Sequence, residues 1–191
     1  MAKMNKTVGI IIAVVAAIAI VGSIASTYNR LVTLNESVDG QWAQVETVYQ
    51  RRLDLVPNLV NATKGFLEQE RAIYEAITDA RTQYADASSA RAQVTAVNNL
   101  ESALARLLVV VESNPEIKSN TTVASLMTEL SGTENRISVE RRRFNESVQS
   151  YNVTVKRFPT NLMAPMMGFG ARDFFESNDG AEEAPEVDIS L

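Results

Sequence analysis

The chain has 191 residues, 18 basic and 23 acidic side chains, and neither histidine nor cysteine. That composition excludes Ser-His-Asp and thiolate catalysis, disulfides, histidine-ligated haem or di-iron centres and zinc sites of the usual N/S kind. The length suits one domain with attachments, large enough for a core without covalent staples.

The 23 residues from Thr7 to Asn29 carry no charge, and Val8 to Val21 contains only Gly, Ile, Val and Ala. At about 1.5 Å per residue such a run crosses a hydrocarbon layer of about 30 Å. It is longer than the apolar region of a cleaved signal peptide, so it predicts a retained transmembrane anchor over residues 1–27. Lys3 and Lys6 precede the span and only Arg30 follows before Arg51, a bias that puts the N-terminus in the cytoplasm and the remainder outside.

Helical spacing of apolar residues then predicts four helices, at about 28–55, 57–86, 90–113 and 119–157, joined by short connections and forming an up-and-down antiparallel four-helix bundle over 28–158. The longest seam runs Val123, Met127, Leu130, Glu134, Ile137, Arg141, Phe144, Val148, Tyr151, Val155 and Phe158 in alternating steps of four and three. Asp86 to Ala90 and Asn114-Pro115 break the pattern, and Pro57 is read as a turn between the first two helices, with a kink in one long helix as the alternative. No strand-like alternation occurs in the body, so the fold class is all-α.

Residues 159–176 form a Met- and Phe-rich docking segment, with Phe158 at its threshold and Met163, Met166, Met167, Phe169, Phe174 and Phe175 within it. Pro159, Pro165, Gly168 and Gly170 interrupt any long helix there. The segment needs cover from its own bundle, from another subunit or from a bilayer surface. Residues 172–191 hold one base and seven acids, against 15 bases and 16 acids in residues 30–171, so the acidity sits in a solvated tail over 177–191. A nearly neutral body has nothing to attract nucleic acid.

Polar residues on the seams stand out. Arg52, Glu70, Glu101, Glu134 and Arg141 occupy positions where apolar side chains are expected. Unpaired burial would be costly, so Arg52 and Arg141 are expected to meet Glu70, Glu101 or Glu134 and fix helix register as a structural polar seam. A charged pocket with Arg51, Asp54, Asn58, Asn135 and Arg136 is the competing reading. A carboxylate di-metal centre would want Glu-x-x-His on two helices, and this chain has no His. Neither a cofactor nor a metal site is expected.

Several motifs are familiar in combination: Tyr28-Asn29-Arg30-Leu31-Val32, the run from Gln50 to Val60, Thr133-Glu134-Asn135-Arg136-Ile137, Asn114-Pro115-Glu116-Ile117-Lys118, Tyr151-Asn152, Phe158-Pro159, Gly168-Phe169 and Phe174-Phe175-Glu176. With these behind an N-terminal anchor, the chain resembles the LemA family of bacterial membrane proteins over nearly its whole length. Gln69 before Glu70 departs from a His-Glu pair common in that family. The resemblance implies a four-helix bundle on a single span and no established enzymatic activity. The expected role is a non-enzymatic scaffold or adaptor of the bacterial inner membrane, recruiting partners such as membrane proteases. The chain is also expected to be homo-oligomeric through its span and the segment Phe158 to Phe175, and the alternative role is a self-assembling homo-oligomer, a ring or cage that organises the membrane.

Overall fold

The computed structural model describes residues 6–66 and 71–175. Among them there are helices and no strands. The order is α1 (Lys6–Thr63), a 3-10 turn Lys64–Phe66, α2 (Arg71–Ala85), α3 (Ala90–Ser113), α4 (Pro115–Lys118), α5 (Thr121–Lys156), α6 (Thr160–Met163) and a 3-10 turn Pro165–Met167.

The predicted turn at Pro57 is not there: α1 is one helix of 58 residues that passes through the proline. The reason lies in what the turns on either side of the proline bury. Leu53, Val56, Leu59 and Val60 are all at most 5% exposed, and each buried aliphatic side chain contributes roughly 1.5–3 kcal/mol. A proline inside a helix costs about 3 kcal/mol, so continuing the apolar period outweighs the lost backbone bond. The second predicted helix accordingly shrinks to α2, and Pro57 to Thr63 belong to α1.

Other breaks follow local chemistry. Ser89 caps α3, its hydroxyl accepting from the Ala92 N–H at 3.3 Å. Asn114 ends α3, and Pro115 starts α4 where a missing N–H costs nothing. Asn120 caps α5, its side-chain oxygen accepting from the N–H groups of Thr122 and Val123.

The chain divides into two compact units, one of residues up to Ala43 with those from Arg141 onward, the other Gln44–Glu140. In the second, the core gathers Val56 and Leu59 of α1, Ile73 and Ile77 of α2, Leu100 and Leu107 of α3, Ile117 of α4 and Val123 of α5. In the first, Leu31, Val38, Val148, Tyr151 and Ala164 are buried, and Trp42 meets Phe144 edge-on at 5.4 Å. The start of α1 differs from both cores, since Val8, Ile10, Ile11, Ile12, Ile18 and Val21 are all exposed.

Two helices among the described residues are long and apolar enough to cross a bilayer. One is α3, but its apolar stripe is core: Leu100 and Leu107 are fully buried. The other is α1, whose most apolar stretch is not buried at all. That stretch is what a bilayer would cover.

Candidate functional site: a buried arginine and an asparagine-clamped strap

Two polar assemblies stand out, one in each unit. In the unit Gln44–Glu140, Arg52 lies among apolar neighbours with 8% of its surface exposed. Its Nη1 is 3.5 Å from Glu101 on α3 and pairs with Glu134 on α5. Glu101 keeps a fifth and Glu134 nearly half of its side chain in contact with solvent. The cation is therefore held inside while the carboxylates reach the surface, so the arrangement costs less desolvation than a fully buried triad. Among the described residues Arg52 Nε has no hydrogen-bond partner. One turn earlier, Tyr49 meets Tyr84 edge-on, and Gln93 donates to Glu46 at 3.0 Å. Burial first, and then the nearby Glu46 carboxylate, push the Tyr84 hydroxyl above its ordinary pKa.

Of the five seam residues read from the sequence, the structure brings Arg52, Glu101 and Glu134 together. Glu70 lies outside the described residues. Arg141 belongs to the other unit, where its guanidinium sits 4.4 Å above the ring of Phe175.

The second assembly escaped the sequence reading. After the 3-10 turn Pro165–Met167, residues 169–175 run extended as a strap beside α5. Gly168 turns the chain into it at φ +82, a left-handed value that favours glycine. Asn152 donates from its side-chain amide to the Arg172 carbonyl at 2.7 Å and accepts from the Arg172 N–H at 2.9 Å. Asn145 treats Phe175 in the same way, at 3.0 and 2.7 Å. Tyr151 donates its hydroxyl to the Gly170 carbonyl at 2.8 Å.

The spacing explains the pairing. Seven helical residues rise about 10.5 Å, and three extended residues span about 10 Å. Asparagines a heptad apart therefore meet every third residue of an extended chain. Arg172 then reaches α1, bonding Asn35 at 3.2 Å and pairing with Asp39. Burial foremost raises the Tyr151 pKa; Arg172 works against that and Asp39 adds to it.

The docking residues read from the sequence separate into three environments. Phe169 packs against Tyr28 of α1, ring centres 5.7 Å apart, and Phe175 lies under Arg141. Met163 and Met167 are half-buried. Phe158 is 76% and Met166 88% exposed, and Phe174 lines a groove with Gln149, Val153, Lys156 and Arg157. The one trace of the clamp in the sequence is the seven-residue spacing of Asn145 and Asn152, beside the apolar seam and not on it, and both also fit the Asn-x-Ser/Thr glycosylation pattern, so the spacing alone does not mark them.

No group of three or more acidic residues that could hold a metal ion occurs among the described residues. The chemistry offered is recognition: charge pairing inside a helical core and backbone capture of an extended segment.

The chain is similar to the magnetosome proteins MamQ 1 and MamQ 2 of Paramagnetospirillum magneticum, each 26% identical over 90% of this chain and 73% of the relative. It is also similar to the magnetosome protein MamQ of Magnetospirillum gryphiswaldense, 26% identical over 90% of this chain and 72% of that protein. Residues 41–189 match the LemA family, which takes in Arg52, both carboxylates that meet it, both clamp asparagines and the strap. With the motifs carried by an all-helical chain behind an apolar N-terminal helix, the protein belongs to the LemA family.

Proposed function

We propose that the protein is a non-enzymatic, membrane-anchored helical scaffold or adaptor of the bacterial envelope. The observation that carries this reading is the continuity of α1. Its exposed apolar start, Val8 to Val21, runs without a break into the turns that bury Leu31 and Val38. An anchor joined by helix rather than by a loose linker holds its folded part at a set distance from the bilayer. In this reading the span is single and crosses the cytoplasmic membrane, with the N-terminus inside. The helices outside form an up-and-down bundle whose faces recruit membrane partners such as proteases. The relatives named for the magnetosome support a role at a structure rather than in a reaction.

Isolation of native membranes tests this. The full chain should remain with the membrane through high-salt and alkaline washes, while a chain starting at Arg30 should be soluble and folded. In mild detergent the full chain should have the mass of a monomer with a co-isolated envelope protein. A discrete large homo-oligomer would replace the adaptor by a self-assembling ring or cage.

A further inference from the structure

We propose that residues 158–167 form a second membrane contact, a foot that rests in the headgroup layer of an anionic bilayer beside the point where α1 emerges. The proposal rests on the membrane-anchor reading of α1 and adds a surface to it.

The level follows from arithmetic on α1. Its uncharged stretch, Thr7 to Asn29, is centred on Ile18. With about 15 Å of hydrocarbon to either side and about 1.5 Å per residue, the hydrocarbon edge falls about ten residues on, at Tyr28. A tyrosine is the residue type that settles at such an edge. Tyr28 packs on Phe169, and the Phe169 N–H donates to the carbonyl of Ala164 at 2.9 Å. Those two contacts hold the foot at the level where the span leaves the hydrocarbon.

Ala164 is fully buried, so the foot is fixed on one side. Its other side presents Phe158, Leu162 and Met166, which are 76, 63 and 88% exposed. Among the described aromatic and methionine side chains, Phe158 and Met166 are the most exposed, ahead of Tyr74 and Phe174 at 48%. Proline and the close 3-10 turn Pro165–Met167 keep the segment compact, so it is presented as a knob rather than as a loose loop.

Charge names the occupant. Residues 147–172 contain Lys156, Arg157 and Arg172 and no acid; residues 7–35 contain Arg30 and no acid. Lys156, Arg157 and Arg30 are exposed. Arg172 is paired with Asp39, which leaves Lys156, Arg157 and Arg30 as exposed basic side chains on the stretches that flank the foot, in a chain of net charge −5. Apolar side chains inserted at the boundary, with basic ones beside them, match an anionic bilayer surface. A second copy of this acidic chain would offer no such surface through its own foot.

The absence of cysteine makes the test direct. Single-cysteine full-length chains carrying a fluorophore at Ile12→Cys, Met166→Cys or Ser37→Cys are reconstituted in anionic vesicles containing lipid quenchers, either near the headgroup or near the chain end. The Ile12 probe should lose its emission to the deep quencher, which reports the anchor. The Met166 probe should lose it to the shallow quencher more than to the deep one. The Ser37 probe, about 28 Å from the midplane, should lose it to neither. In neutral vesicles, and in the Lys156→Glu, Arg157→Glu background, quenching at Met166 should weaken while that at Ile12 stays. If Ile12 is quenched and Met166 is not, the foot does not touch lipid and the proposal is overturned with the anchor intact. A Met166 probe shielded only at high protein-to-lipid ratio, without lipid quenching, reports a second copy and overturns it equally. Failure at Ile12 itself would overturn the anchor.

Discussion

Arg52 shows how far a single side chain's burial constrains its neighbours. The guanidinium is inside while both carboxylates that meet it reach water, so removing the cation and removing the anions are unequal changes. Arg52→Leu should cost about 1–2 kcal/mol, because Glu101 and Glu134 can turn outward to solvent. The double change Glu101→Leu, Glu134→Leu should cost about 3–5 kcal/mol, because it strands a buried charge. Denaturant unfolding of a chain without the span compares them, and equal losses would mean that Arg52 is hydrated. Tyr151 makes a prediction in pH. Its folded pKa is raised, so the stability tied to the neutral phenol is complete below the unfolded value near 10 and is lost as pH rises through the folded value. The stability advantage of the native chain over Tyr151→Phe should therefore hold up to about pH 10 and shrink as pH rises above it. The sequence made Arg52, Glu101 and Glu134 visible because charge on an apolar stripe is conspicuous. It could not make Asn145 and Asn152 visible, since asparagine on a helix is ordinary and its partner is backbone, which has no letter in a sequence.

At the level of elements, the strap and the proline in α1 each follow from a competition between a local rule and a tertiary one. The strap has no secondary structure of its own, and the two asparagines supply four of its backbone hydrogen bonds. Asn152→Ala should speed amide exchange at Arg172 and Phe175 by roughly 5- to 30-fold, corresponding to ~1–2 kcal/mol of local opening. Unchanged protection would assign the strap's order to Arg172 and Phe175 side chains instead. Pro57 supplies no N–H to the carbonyl four residues earlier. Pro57→Ala should thus raise the thermal midpoint by restoring that bond, worth ~1–2 kcal/mol after the loss of the ring's partial burial. A lower midpoint would mean that the proline's packing matters more than the missing bond. The all-helical class, the bounds of α3 and the break at Asn114 were legible because caps and apolar period agreed there. Pro57 misled because a breaker and an unbroken apolar period pointed in opposite directions, and only the buried neighbours decide between them.

For the whole molecule, the exposed start of α1 and the packed turns that follow belong to one helix, with neither proline nor a change of helix type between Lys6 and Asp54. Removal of residues 1–29 should leave the helical content of the remainder intact and abolish sedimentation with membranes, which far-ultraviolet circular dichroism and flotation would check together. Recognition of the family was possible from short motifs spread along the chain. What those motifs do was not, since Phe174-Phe175-Glu176 reads as a greasy stretch until the strap's hydrogen bonds are seen. The unbroken helix has a mechanical consequence. Asn35 and Asp39, which hold Arg172, stand on the same rod as the exposed apolar stretch, 11 residues or about 16 Å beyond Tyr28 in the case of Asp39. A rod transmits inclination: were a thinner bilayer to lean the apolar stretch by a further 10°, Asp39 would swing sideways by about 3 Å relative to the bilayer, and Arg172, bonded to it and to Asn35, would move with it. The thickness of the lipid would then set the inclination of the strap and of the helix that holds it, with no ligand needed to deliver it.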